Sequence, residues 1–344
     1  MFSRLAHWLQ PLLLILAILA IAWYIRSEWA ALAAYPWRLD GAWLAAATAL
    51  LFVSWALELE IWRRLLAGVG GELTFLQATR LWFLSAVVRY VPGSVWQPLS
   101  LTLYCRRYGI AVEATVASIV LYQVIIVLAT APLALFYLLW SSNDPAGQTM
   151  VGRMLLLDFT GQAPIWAALL LLAPVGLFLL RPQWLFRLLD WTLARVGRPP
   201  LQAHLTSGAL VALVAAAVVD WLLWGTTFAA FTFAVAGGAA ERAALAPYLI
   251  TAYPIAITVG LLSLIAPSGI GAREGALLLL LAPRLEGAVV TVVALAMRLW
   301  TACGELIIAL LSAPAERAQA DLPAPDYAAV EPRPAETTLR REPT

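Results

Sequence analysis

Ionisable residues lie inside or at the edges of long apolar stretches: Glu58, Glu60, Arg89, Glu113, Asp220, Arg273, Glu274, Arg298 and Glu305. An ionised side chain at a helix centre in lipid costs about 2.5–3.5 kcal/mol on insertion scales, so each needs a partner, a cavity or a task. Two of the arginines stand at glycine-proline breaks, Arg89-Tyr-Val-Pro-Gly-Ser-Val-Trp-Gln97 and Pro267-Ser-Gly-Ile-Gly-Ala-Arg-Glu-Gly275. In the first, Arg89 precedes Pro92 and Gly93, and Ser94 is placed to cap the short helix that follows. Trp96 and Gln97 come next, placed either to meet a lipid headgroup or to pack. Free N–H groups at a helix start beside a guanidinium suit an anion such as phosphate. In the second break Pro267 stops one helix, Gly269 and Gly271 permit close backbone approach, and Arg273 and Glu274 fall in the first turn of the next. Glu274 is favoured there by the helix dipole, whereas Arg273 opposes it and calls for an anion. The competing reading is that both arginines pair with buried carboxylates and merely hold the chain together.

Asp220, flanked by Val218, Val219 and Trp221, is the foremost acidic candidate. Arg298 and Glu305 stand on one face of the last apolar segment. Arg298 there either pairs with Asp220 or a carboxylate of the second break, or lines a substrate path. Glu60 and Arg64 are spaced as a surface helix pair, Glu58 lies deeper, and Glu113 reads as a helix-start carboxylate. The candidate binding set is therefore Arg89, Pro92, Gly93, Ser94, Trp96, Gln97, Asp220, Pro267, Gly269, Gly271, Arg273, Glu274, Arg298 and Glu305. No Ser/His/Asp set, phosphate-binding Gly-Lys loop or cluster of metal carboxylates is present, and the histidines are His7 and His204 alone. No metal, cofactor or catalytic residue is expected.

These residues must be positioned by membrane helices. The 344-residue chain is 62% hydrophobic and 12% charged, against about 25% charged in soluble domains. Several of its 16 tryptophans (Trp8, Trp23, Trp37, Trp140 and Trp184 among them) end apolar runs, as in an interfacial aromatic belt. The expected fold is an all-α, polytopic helical membrane protein with about six to eight spanning helices and two broken or re-entrant hairpins. A first run from about Trp8 to Ile25 is long enough to span and reads as an uncleaved helix. Further runs cover about 42–62, 74–91, 94–105, 112–140, 163–180, 207–236, 245–266, 272–283 and 287–313. The runs at 94–105 and 272–283 are too short to span, and each follows a break. That length favours half-helices, with 74–105 and 245–283 as the hairpins.

With the N-terminus inside, Arg4, Arg63, Arg64, Arg80, Arg106, Arg107, Arg181, Arg187, Arg195 and Arg198 fall on the cytoplasmic side, which places both termini there. If 245–266 instead crosses fully and 272–283 only dips, the C-terminus lies outside. Segment 182–198 is amphipathic, with Gln183, Arg187 and Asp190 on one side and Leu185, Leu189 and Val196 on another, and is expected in the cytoplasmic interface. Residues 1–313 form the membrane domain, and the Pro-, Ala-, Glu- and Arg-rich stretch 314–344 reads as a disordered cytoplasmic tail. The net charge of +2 gives no basis for a nucleic-acid partner, and Cys105 and Cys303 sit in apolar segments unsuited to a structural disulfide. The use of Arg without any Lys in an Ala- and Leu-rich chain suggests a GC-rich bacterial genome, hence a bacterial inner membrane.

The two breaks, together with Arg298-Leu and Glu305-Leu in the last segment, resemble the lysylphosphatidylglycerol synthase transmembrane-region family, whose members are also called flippase-like membrane proteins. The resemblance covers about 40–313. It implies a helical membrane domain with re-entrant segments that handles lipids or lipid-linked headgroups, in some members beside glycosyl- or aminoacyl-transfer domains. Arg89, Pro92, Gly93, Pro267, Gly269, Gly271, Arg273, Glu274 and Arg298 sit on matching motif positions, and Ser268 stands where a second glycine is frequent. No aminoacyltransferase region follows residue 313, so lysyl transfer is not expected. The expected function is a lipid translocase or headgroup-binding transporter for an anionic, phosphate-bearing lipid or lipid-linked precursor. The alternatives are a membrane-embedded transferase using Asp220 or Glu274 as general base, and a scaffold for a separate lipid-modifying or glycosyltransferase enzyme.

Overall fold

The computed structural model describes residues 37–88, 96–141, 163–181, 183–195, 204–236, 242–263 and 271–320, with isolated positions such as Tyr35, Gly197 and Gly269. The expected first span, the elbow carrying Arg89, Pro92, Gly93 and Ser94, the pair Pro267 and Ser268, and residues 321–344 lie outside them. Among the described residues there are ten helices and no strand. They are α1 (Gly41–Gly68), α2 (Phe75–Val88), α3 (Trp96–Arg107), α4 (Val112–Ser141), α5 (Ala163–Leu180), α6 (Gln183–Arg195), α7 (Ser207–Ala236), α8 (Arg242–Leu262), α9 (Ala272–Leu281) and α10 (Gly287–Ala320). The protein is a helical membrane protein. Five described segments are long and apolar enough to cross a bilayer: Gly41–Gly68, Val112–Ser141, Ser207–Ala236, Ala244–Leu262 and Gly287–Ala313. The 12 residues of α3 and the 10 of α9 rise about 18 and 15 Å, roughly half of a ~30 Å hydrocarbon core.

Local chemistry sets the helix ends. Asp40 caps α1, its Oδ1 accepting from the N–H groups of Ala42 at 3.0 Å and Trp43 at 3.3 Å. The helix α3 closes on Gly109 at φ 77°, with the Ile110 N–H donating back to the Cys105 carbonyl at 3.2 Å. Helix α9 starts at Gly271, whose φ of 86° only glycine adopts without strain, and the Gly271 N–H donates to Glu274 Oε2 at 2.8 Å.

Helix α7 is central and packs on α1, α4 and α8, while α10 lies against both α2 and α9 and so touches both hairpins. Two large apolar cores result, beside a small third one of Leu51, Trp55, Phe83 and Ala309. One gathers Leu59, Trp62, Leu121, Ile125 and Leu213 from α1, α4 and α7. The other gathers Phe228, Tyr253, Leu277, Val293 and Met297 from α7 to α10. Hydrogen bonds tie the long helices across them: Trp221 Nε1 donates to the Ile126 carbonyl at 2.7 Å, Tyr137 OH to the Leu280 carbonyl at 2.6 Å, and Thr130 and Thr258 hydroxyls meet at 2.7 Å. Pro254 has no N–H, so the Ile250 carbonyl one turn earlier loses its helical donor. That carbonyl faces Gly225, where a Cβ would collide with it, and α7 and α8 cross there at backbone contact.

The amphipathic helix α6 buries none of its residues fully. Leu185, Phe186 and Leu189 pack on the first core, while Trp184, Leu188 and Trp191 are exposed. Outside it, Arg198 pairs with Glu113 at 2.9 Å, which gives that helix-start carboxylate a structural partner.

Candidate functional site

Between the two cores lies a cavity of about 380 Å³. Helical periodicity builds its wall, because residues three, four and seven apart share a face. Helix α4 contributes Ile119, Tyr122, Gln123 and Ile126, helix α8 contributes Tyr253, Ile257 and Gly260, and helix α10 contributes Arg298, Thr301 and Glu305. Helix α1 adds Trp55 and Glu58, α7 adds Asp220, Trp221 and Trp224, and the first turns of α3 and α9 add Gln97 and Arg273. Gly269 completes the floor: at φ 65°, it brings its backbone against Gly260, and a Cβ on Gly269 would lie 2.8 Å from the Gly260 Cα.

The polar side chains form two groups. In the first, Arg273 Nη2 donates to the Tyr253 hydroxyl at 2.7 Å and its guanidinium carbon stands 4.9 Å from the centre of the same ring. The buried Nε of Arg273 has no acceptor, and among the described residues no carboxylate pairs with this cation. Arg298 is different. Its Nη1 meets Glu274 Oε1 at 3.1 Å, while the other oxygen of Glu274 caps α9. Glu305, buried on the α10 face, and Arg298 line the same cavity as Tyr253.

In the second group, Tyr122 donates to Glu58 Oε1 at 2.9 Å. Asp220 is only 3% exposed, its Oδ1 has no hydrogen-bond partner, and Glu58 stands near enough for the two carboxylates to repel when both are ionised. The side-chain Oε1 of Gln123 is likewise buried without a donor. Such orphaned groups are rare in folded proteins and mark places where a ligand, water or proton belongs.

A family model for the lysylphosphatidylglycerol synthase transmembrane region matches residues 9–309. The chain belongs to that family. No curated protein and no solved structure matches it. For a lysylphosphatidylglycerol synthase transmembrane region, the cavity brings together candidates far apart in sequence: Gln97, Asp220, Gly269, Arg273, Arg298 and Glu305. Glu274 and Gly271 stand just behind the wall at the start of α9. Trp96 is exposed and is not part of this wall. Arg298 takes the hairpin-carboxylate partner that was one of its two expected roles, and still lines the cavity. Glu60, as its spacing implies, is a surface acid, held by Arg64 at 2.7 Å and also by Arg63 at 2.7 Å.

Sequence reasoning passed over Tyr122, Gln123 and Tyr253. All are neutral, and such residues recur throughout membrane helices. The one usable signal was Tyr253 directly before Pro254, a point where a helix backbone is already disturbed.

Proposed function

We propose that the protein is a lipid translocase or headgroup-binding transporter whose cavity receives the phosphate of an anionic lipid or lipid-linked precursor. One observation carries this reading: Arg273 lines a cavity walled by long apolar helices, with its Nε unpaired and, among the described residues, only a tyrosine hydroxyl accepting from its guanidinium. A guanidinium binds phosphate through paired N–H donors, and such charge-assisted bonds are about twice as strong as neutral ones. The cavity volume falls within the ~300–1,000 Å³ typical of small-molecule sites, enough for a headgroup whose acyl chains stay in the bilayer. Gln97 offers an amide donor from the α3 turn, and the tryptophans of the wall supply apolar surface for the glycerol region.

Glu274, the sequence's candidate base for a transferase, is held by Arg298 and the Gly271 N–H, an arrangement that favours a carboxylate fixed in structure over one moving protons to a substrate. In this reading the arginine-rich loops face the cytoplasm of a bacterial inner membrane, and a separate lipid-modifying or glycosyltransferase enzyme supplies or consumes the lipid.

The test is movement of a headgroup-labelled phosphatidylethanolamine across proteoliposomes containing the full chain. Arg273→Ala abolishes the movement and Arg273→Lys retains part of it, with both variants melting near the wild type. Normal movement by Arg273→Ala refutes the reading.

A further inference from the structure

The second polar group is unexplained by phosphate binding. An anion gains nothing from Glu58 and Asp220, and two acceptor atoms, Asp220 Oδ1 and Gln123 Oε1, are buried with no donor to satisfy them. Among the described residues, titratable and amide groups line the cavity with Asp220 on several elements. Helix α1 presents Glu58, α4 presents Tyr122 and Gln123, and α8 presents Tyr253. Helix α10 presents Arg298 and Glu305, α9 presents Arg273 across the cavity, and α5 has no titratable side chain. Arg298 meets Glu274 and Arg273 meets Tyr253, and among the described residues no ion pair includes Asp220. A metal ion is a poor solution, since no set of three Asp, Glu, His or Cys ligands exists among the described residues.

A proton is the solution that fits. Neutralising one carboxyl removes its repulsion with Glu58, avoids the cost of a bare charge at membrane depth, and turns an orphaned acceptor into a donor. We propose that Asp220 is a proton-exchanging carboxyl whose loading and release through the cavity couples headgroup movement to the transmembrane proton gradient. In loading, hydronium in the cavity gives up a proton and remains as water while the Asp220 carboxylate forms an O–H bond. In release, that bond breaks and the proton returns to water on the other face. The coupling rests on the translocase reading, whereas the proton site stands on geometry alone.

Two measurements on the full chain test it. Infrared titration in nanodiscs of phosphatidylglycerol and phosphatidylcholine reads the carbonyl stretch of a protonated acid. The wild type shows this band at neutral pH and loses it on alkalinisation, and Asp220→Asn lacks it. A band that survives in Asp220→Asn, or no band in the wild type, overturns the site. In proteoliposomes with amine-labelled phosphatidylethanolamine, an imposed pH gradient accelerates wild-type movement severalfold. The ratio of rates with and without the gradient falls to one in Asp220→Asn and is partly kept in Asp220→Glu. A titrating band with gradient-insensitive movement overturns the coupling alone. A titrating band with no movement of the probe by the wild type overturns the translocase reading and the coupling with it.

Discussion

Glu58 and Glu60 are two residues apart on one helix and live in opposite circumstances. Glu60, near the end of α1, meets Arg63 through both oxygens, at 2.7 and 2.9 Å, and Arg64 at 2.7 Å. Glu58 turns inward to the cavity, where the Tyr122 hydroxyl donates to it and Asp220 lines the same wall. Glu60 thus has guanidinium partners where water already makes a charge cheap, whereas among the described residues none meets Asp220, where a charge is expensive.

Four substitutions break or sharpen that contrast when thermal melting is followed in one fixed lipid mixture. The largest loss belongs to Arg298→Ala, which strands the buried Glu274 and costs about 3–5 kcal/mol, because removing one partner of a buried pair leaves an uncompensated charge. Tyr122→Phe comes next: it removes the hydroxyl donor of Glu58 and costs about 1.5–3 kcal/mol, the range for a hydrogen bond to a charged group. Glu60→Gln, on the same helix, costs no more than about 1 kcal/mol, since its arginine partners are partly solvated. Should Glu60→Gln prove costlier than Tyr122→Phe, the distinction between the two faces of α1 fails. Asp220→Asn has the smallest effect, with melting unchanged or raised, because no cation loses a partner. A large loss there means that a cation does hold Asp220.

The long helices were legible because hydrophobicity alone defines them. The apolar runs at 112–140, 163–180 and 207–236 became Val112–Ser141, Ala163–Leu180 and Ser207–Ala236 within a residue. The shared face of Arg298 and Glu305 followed from helical geometry and is seen on the cavity wall. Extents blurred where polar residues end a helix: α1 runs on to Gly68 through Arg63 and Arg64, and α10 to Ala320 beyond Pro314. That Glu58 and Asp220 share one cavity wall could not be read, because it depends on how α1 and α7 pack. That packing is a tertiary fact with no periodic signature in the sequence.

One helix has a mechanical consequence. Because α10 packs on α2 of one hairpin and α9 of the other, and carries Arg298 and Glu305 between them, any displacement of either hairpin bears directly on the cavity wall. At Gly304 the missing Cβ lets the indole of Trp55 lie directly against the helix backbone, seating α10 on α1 beside that wall.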